Sequence, residues 1–209
     1  MNIAVFGATG RTGKQVVEQA LERGYEVTAF ARNPEKLGEL RERIQVIQGD
    51  VQDKEKVSQA VAAADAVISV LGPTKNEPVF EVTRGTENIL DAMEQHEVSR
   101  LVLSTGAGIG DPNDEPKLFH RVMNLLVKTF SRYIYEDMKR TVETVRGSSG
   151  DWTVVRVPVL TDDPATGEVK VGWVGKGMGP RISRADMAGF LLDQLEDDTY
   201  LRKAPAISN

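Results

Sequence analysis

The stretch Gly7-Ala8-Thr9-Gly10-Arg11-Thr12-Gly13 constrains this chain more than any other, because of what flanks it. Residues 3–6 before it form a short, uninterrupted apolar run, as in a strand buried on both faces. Residues 11–23 after it place Val16, Val17, Ala20 and Leu21 on one helical stripe, and Gly24 ends the helix. A strand, a glycine-rich turn and a helix form, in that order, the setting in which backbone N–H groups at a positive helix end receive a pyrophosphate. The spacing is GxxGxxG, not GxGxxG. Gly7, Gly10 and Gly13 are candidate phosphate-cradling residues, with Thr9, Arg11 and Thr12 between them.

The alternation continues. Residues 25–31 are β-rich, and Asn33-Pro34 opens a second helix. Strands follow at 44–47, 66–71 and 101–104, separated by helices at 54–63 and 78–95. Such alternation predicts right-handed βαβ units in an α/β, Rossmann-type doubly wound parallel sheet with helices on both faces. At 209 residues the chain fits one domain. The second half predicts helix over 119–134 and 135–146, a strand over 152–157 and a last helix over 184–195. A hairpin is expected across 161–174 around Thr166-Gly167. The insertion at about 107–134 and the segment at about 159–182 are expected to form the substrate side, as a small C-terminal lobe.

Composition narrows the chemistry. Zero cysteines remove thiolate nucleophiles, zinc–thiolate sites and iron–sulfur clusters. Two histidines, His96 and His120, stand too far apart for a local metal motif, so no metal is expected. A net charge of −5 argues against a nucleic-acid partner. No apolar run reaches membrane-span length and no signal-peptide layout opens the chain, so a cytoplasmic protein without a membrane partner is expected. A homodimer is possible, but no pattern selects one.

The end of the second strand distinguishes cofactors. An acidic residue there holds the ribose hydroxyls of NAD, whereas an arginine accommodates the extra phosphate of NADP. Here Arg32 follows Ala31, and Arg11 in the glycine turn offers a second cation. NADP(H) is expected over NAD(H), since an arginine binds a phosphate in a bidentate fork that an acid would repel.

GATGRTG, Ala31-Arg32-Asn33-Pro34, Gly49-Asp50-Val51, Leu103-Ser104-Thr105, the run DWTVVRVP from Asp151 to Pro158 and the run ISRADMA from Ile182 to Ala188 together resemble the atypical, extended short-chain dehydrogenase/reductase superfamily. Within it the chain is similar to the small NAD(P)H-binding group of biliverdin/flavin reductases and NmrA-like proteins; residues 107–134 match poorly. The resemblance implies that Asp50 and Val51 border the adenine. It places Val70, Leu71 and Gly72 near the ribose, and Val157 and Pro158 by the nicotinamide amide.

Tyr135 and Lys139 have the Tyr-xxx-Lys spacing of that superfamily. At i and i+4 they share a helix face, so the lysine would hold the nicotinamide ribose and favour ionisation of the phenol. Ser104 or Thr105, at the end of the fifth strand, would orient a carbonyl oxygen. Against this relay, the position three residues before Gly85 holds Val82, where relay enzymes of the superfamily carry asparagine. The sequence therefore supports an NADPH-dependent reductase of a small conjugated acceptor: a flavin, a quinone or a carbonyl compound. An NmrA-type NADP(H) sensor and a cofactor-retaining epimerase or isomerase are the alternatives. The stripe Phe119, Met123, Leu126 and Phe130 either covers a flat substrate, faces a second subunit or is core. Around it Lys117, His120, Arg121, Lys128 and Arg132 make the segment locally basic. A substrate phosphate, as on FMN, or plain solvent would suit them, and His120 reads most simply as a surface residue.

Overall fold

The computed structural model describes residues 1–209 apart from the side chains of Arg121 and Met123, which lie outside the described residues. Eight strands form the main sheet: β1 (Asn2–Phe6), β2 (Glu26–Ala31), β3 (Gln45–Gln48), β4 (Ala66–Ser69), β5 (Arg100–Gly106), β6 (Asp151–Val157), β8 (Lys170–Gly172) and β10 (Ala206–Ser208). Their spatial order is β3-β2-β1-β4-β5-β6-β10-β8, and only the β8–β10 pairing is antiparallel. The order reverses direction between β1 and β4. Crossover loops diverge at that place and leave a crevice beyond the strand ends.

Both faces are covered, as the apolar strands require. Ile3, Val5, Ile68, Val102 and Val155 lie beneath α1 (Arg11–Glu22) and α6 (Arg184–Asp193), against Val16, Val17, Met187 and Leu191. The alternate residues Ala4, Phe6, Val67, Leu103 and Val154 face α2 (Lys54–Val61), α3 (Glu81–Gln95) and α5 (Arg132–Gly147). The period of two within each strand thus serves two separate cores.

Two expectations are corrected. The helix after Asn33-Pro34 is a 3-10 stretch, Pro34–Arg43, broken where Gly38 adopts φ 62°. The hairpin across 161–174 does not form. Instead β7 (Val159–Thr161) pairs in parallel with β9 (Arg181–Ser183), and β8 joins the main sheet through β10, a strand of three residues not foreseen from the sequence.

The reason is the carboxylate of Asp186, which is only 5% exposed. It accepts the N–H groups of Thr166 (3.0 Å) and Gly167 (2.9 Å) and the Ser183 hydroxyl (2.8 Å). The chain does bend at Gly167, but the bend serves that buried charge. Burial alone would raise the pKa of Asp186; the donors from Thr166, Ser183 and Gly167 outweigh it and hold the group below the ordinary value of 3.8. A depressed folded value means that this stabilisation is complete above the ordinary value. It is lost as pH falls from there through the depressed one. Replacing Asp186 with asparagine should therefore shrink the loss of melting temperature between about pH 5 and about pH 3. An acid response equal to that of the wild type contradicts the assignment.

A second buried charge ties the insertion to the sheet. Arg156, in β6, is 0% exposed and reaches Asp114 with both terminal nitrogens, at 2.6 and 2.8 Å. It also donates to the carbonyls of Ala204 (2.7 Å) and Ile109 (3.0 Å). Asp114 in turn accepts from the backbone of Asp111 and Val174. Desolvation raises the carboxyl pKa, but the Arg156 guanidinium and these N–H donors bring it below the usual range.

The remainder of the insertion forms α4 (Leu118–Phe130), which Ser131 separates from α5. Phe119, Leu126 and Phe130 are 67%, 44% and 76% exposed, so these three are not core, and Met123 lies outside the described residues.

Candidate cofactor and substrate cleft

The turn after β1 is shaped by two glycines. Gly7 adopts φ 86°, and a Cβ there would stand 2.8 Å from the carbonyl oxygen of Val70. A Cβ on Gly13 would stand 2.1 Å from the carbonyl oxygen of Gly7. The turn can therefore sit on the end of β4 while the first turn of α1 rests on it. Gly10 precedes α1 without any side-chain acceptor, and no acidic residue occupies the first helical turn. The N–H groups and the positive end of the helix dipole remain available to an anion.

Beside this helix end lies a cleft of about 210 Å³. Gly7, Thr9 and Gly10 line it nearest the helix end, and Arg32 lines it at the tip of β2 with Phe30 and Ala31. Asp50 and Val51, after β3, and Val70, Leu71 and Gly72, after β4, complete the walls foreseen from the sequence. Asp50 also closes its own turn by accepting the Gln52 N–H at 2.9 Å. Thr74, Glu81 and Val82 join these walls, although sequence reasoning gave them no such place.

A second cleft, of about 170 Å³, shares Val70, Leu71, Gly72 and Val82 with the first. Together they form one trough along the carboxyl ends of the strands. Ser104, Thr105 and Val157 line the second cleft, and Thr12 borders it from α1. The hydroxyl of Thr105 is buried and has no hydrogen-bond partner.

The structure does not bring Tyr135 and Lys139 to either cleft. Lys139 pairs with Glu143 at 3.4 Å and is 54% exposed. Tyr135 packs against the core beneath α3 and α5, with the Lys128 ammonium 5.0 Å from its ring centre. Asp137, only 4% exposed, explains the orientation. Its carboxylate accepts the N–H groups of Val82 (3.1 Å) and Thr83 (2.9 Å) and the Thr83 hydroxyl (2.6 Å). Locking α5 to the start of α3 in this way turns Met138 and Thr141 toward the trough. Sequence reasoning missed those two. Their signal was a helical spacing shared with the buried Val142 and Val145, which excludes Lys139 from the same stripe.

Three further candidates sit differently from expectation. Arg11 is 71% exposed, pairs with Asp162 at 2.8 Å and lines neither cleft. Asp162 also holds Arg184 at 2.7 Å, which draws Arg11 toward β7. Pro158 is half-buried and outside the lining, where Leu160 and Met187 stand instead. Gly13 acts from beneath the turn, by the close approach described above. Among the described residues, no group of three or more His, Asp or Glu side chains is placed to hold a metal.

Comparison with known proteins agrees with this geometry. A family model described as NAD(P)H-binding matches residues 7–198. An uncharacterized chloroplastic protein of Arabidopsis thaliana is 30% identical over 181 residues, covering 80% of this chain and 62% of that protein. The oxidoreductase stcQ of Emericella nidulans is 29% identical over 188 residues, covering 78% and 67%. Cinnamoyl-CoA reductase 1 of Petunia hybrida is 32% identical over 128 residues, but the chain spans only 38% of its length. Among solved structures, a short-chain dehydrogenase/reductase of Veillonella parvula in complex with NADP superposes with a TM-score of 0.82 at 20% identity. That alignment covers 100% of this chain and 94% of the other. ChuY, an anaerobilin reductase of Escherichia coli, gives 0.78 at 21% identity, covering 100% and 97%. These two likenesses establish the shared fold. The family match spans the phosphate turn and both clefts, and the chain belongs to the NAD(P)H-binding family.

Proposed function

We propose that the protein is an NADPH-dependent reductase that delivers hydride to a small conjugated acceptor, such as a flavin, a quinone or a carbonyl compound. The observation that carries this reading is the single trough that runs from an uncapped helix end, past Arg32, to a partly apolar pocket. Bound NADPH supplies the hydride. The chain's part is to hold, orient and desolvate. The α1 N-terminus and the N–H groups of its turn take the pyrophosphate charge, and the Arg32 guanidinium takes the 2′-phosphate. Asp50 and Val51, with Phe30, form the adenine end.

At the far end Met138, Val157, Leu160 and Met187 supply apolar walls, and the half-buried Ser104 offers a hydroxyl. This is a surface suited to a flat acceptor with a polar edge. The pocket holds neither tyrosine nor lysine, so solvent delivers the proton in this reading. The similarity to stcQ, an oxidoreductase, and to cinnamoyl-CoA reductase 1 lends support.

A second reading, an NADP(H) sensor that signals to a partner, is favoured by the exclusion of Tyr135 and Lys139 from the trough. It predicts cofactor binding without acceptor-dependent turnover. The cofactor assignment is tested separately with Arg32→Glu. NADPH affinity should fall about tenfold to a hundredfold, because a charge-assisted hydrogen bond contributes about 1.5–3 kcal/mol. NADH affinity should change far less. Equal weakening of both would remove Arg32 from the 2′-phosphate site.

A further inference from the structure

We infer that α4 is a docking face for an anionic lipid surface. Nine large hydrophobic side chains are conspicuously exposed among the described residues, and six of them lie on this helix: Leu118, Phe119, Val122, Leu125, Leu126 and Phe130. A soluble chain scatters such residues singly; a cluster of this kind marks an interaction surface. At 100° per residue the six fall within an arc of about 140°, and Asn124 and Val127, both half-buried, lie outside it. The helix thus turns its apolar stripe outward.

Charge selects the occupant. Residues 116–135 contain four Lys or Arg and no Asp or Glu, in a chain whose net charge is −5. Arg132 is engaged by Glu136 at 2.9 Å, and Lys128 lies over the Tyr135 ring, but neither contact covers the apolar arc. A twofold contact through this face would set the cations of one copy against those of the other. Anionic headgroups complement them, with the apolar side chains entering the acyl boundary. Thirteen residues span about 20 Å, less than the hydrocarbon core, so α4 would lie in the plane of the surface. No helix of the protein is long and apolar enough to cross a membrane among the described residues. The inference does not depend on the reductase reading.

The test is cosedimentation of the full chain with vesicles of phosphatidylcholine alone and of phosphatidylcholine mixed with phosphatidylglycerol. The wild type should pellet with the mixed vesicles, lose that binding at high salt and remain free of the neutral ones. Phe119→Ser/Phe130→Ser should weaken binding roughly tenfold or more, and Lys117→Gln/Lys128→Gln roughly threefold or more. Both variants should keep the wild-type melting temperature and NADPH affinity. Absence of binding to mixed vesicles, equal binding to neutral ones, or unchanged binding by the serine variant overturns the inference. So does light scattering that shows a wild-type dimer which the serine variant dissolves, because that result assigns the face to a second copy.

Discussion

Gly13→Ala should lower stability by about 1–3 kcal/mol and weaken NADPH binding at least tenfold. Helix propensity alone predicts the opposite sign, since alanine in place of glycine favours a helix by about 1 kcal/mol. Steric exclusion decides the matter. The new Cβ would meet the Gly7 carbonyl oxygen at 2.1 Å and the Ala8 Cα at 2.7 Å. Both are backbone atoms, so no side-chain rotation relieves the overlap. Either α1 lifts from the turn or the turn moves, and both displace the N–H groups offered to the pyrophosphate. Gly147→Ala, at the end of α5, is the control, because a Cβ there meets nothing within 4 Å. Thermal melting and the quenching of intrinsic fluorescence by NADPH read the two effects. A Gly13→Ala protein with wild-type melting and affinity would contradict the close approach on which the site is built.

Asp114→Ala should cost about 3–5 kcal/mol, because it leaves Arg156 charged, fully buried and without its carboxylate. The comparison within this chain is Asp91→Ala. That carboxylate is 64% exposed and its partner Lys54 is 74% exposed, so the loss should be below about 1 kcal/mol. Double replacement of Asp114 and Arg156 by leucine and methionine should recover part of the stability. The recovery stays partial because the Asp111 and Val174 N–H groups lose their acceptor. Denaturant unfolding measures all three. A loss below about 1 kcal/mol for Asp114→Ala would show that the loop around it is not held by this pair.

Much of the dinucleotide half was legible because its residues belong to the strand ends themselves. Gly7, Arg32 and Val70 each follow a strand directly, and Gly10 and Asp50 lie within four residues of a strand end. Locating the strand therefore locates the residue, and parallel order brings the ends to one edge. Ser104 and Thr105 were legible for the same reason. Tyr135 and Lys139 were not, because a spacing of four defines a shared face but not the direction in which it points. That direction is set by Asp137, whose donors come from Val82 and Thr83, more than fifty residues earlier.

The Thr166-Gly167 turn misled for a related reason. Its local chemistry suits a hairpin, but the nearby buried carboxylate of Asp186 takes its N–H groups. The same distinction holds for α4. Its amphipathic pattern was plain in the sequence, whereas the outward direction of the apolar arc is a property of the packed chain.

The measurement that tests the central claim most directly is the loss of NADPH absorbance in the presence of FMN, riboflavin, quinones and biliverdin, with NADH run in parallel. The account predicts acceptor-dependent oxidation, faster with NADPH than with NADH. Tight NADPH binding with no oxidation by any of these acceptors would contradict the reductase reading. The trough would then belong to a sensor or to a cofactor-retaining epimerase or isomerase.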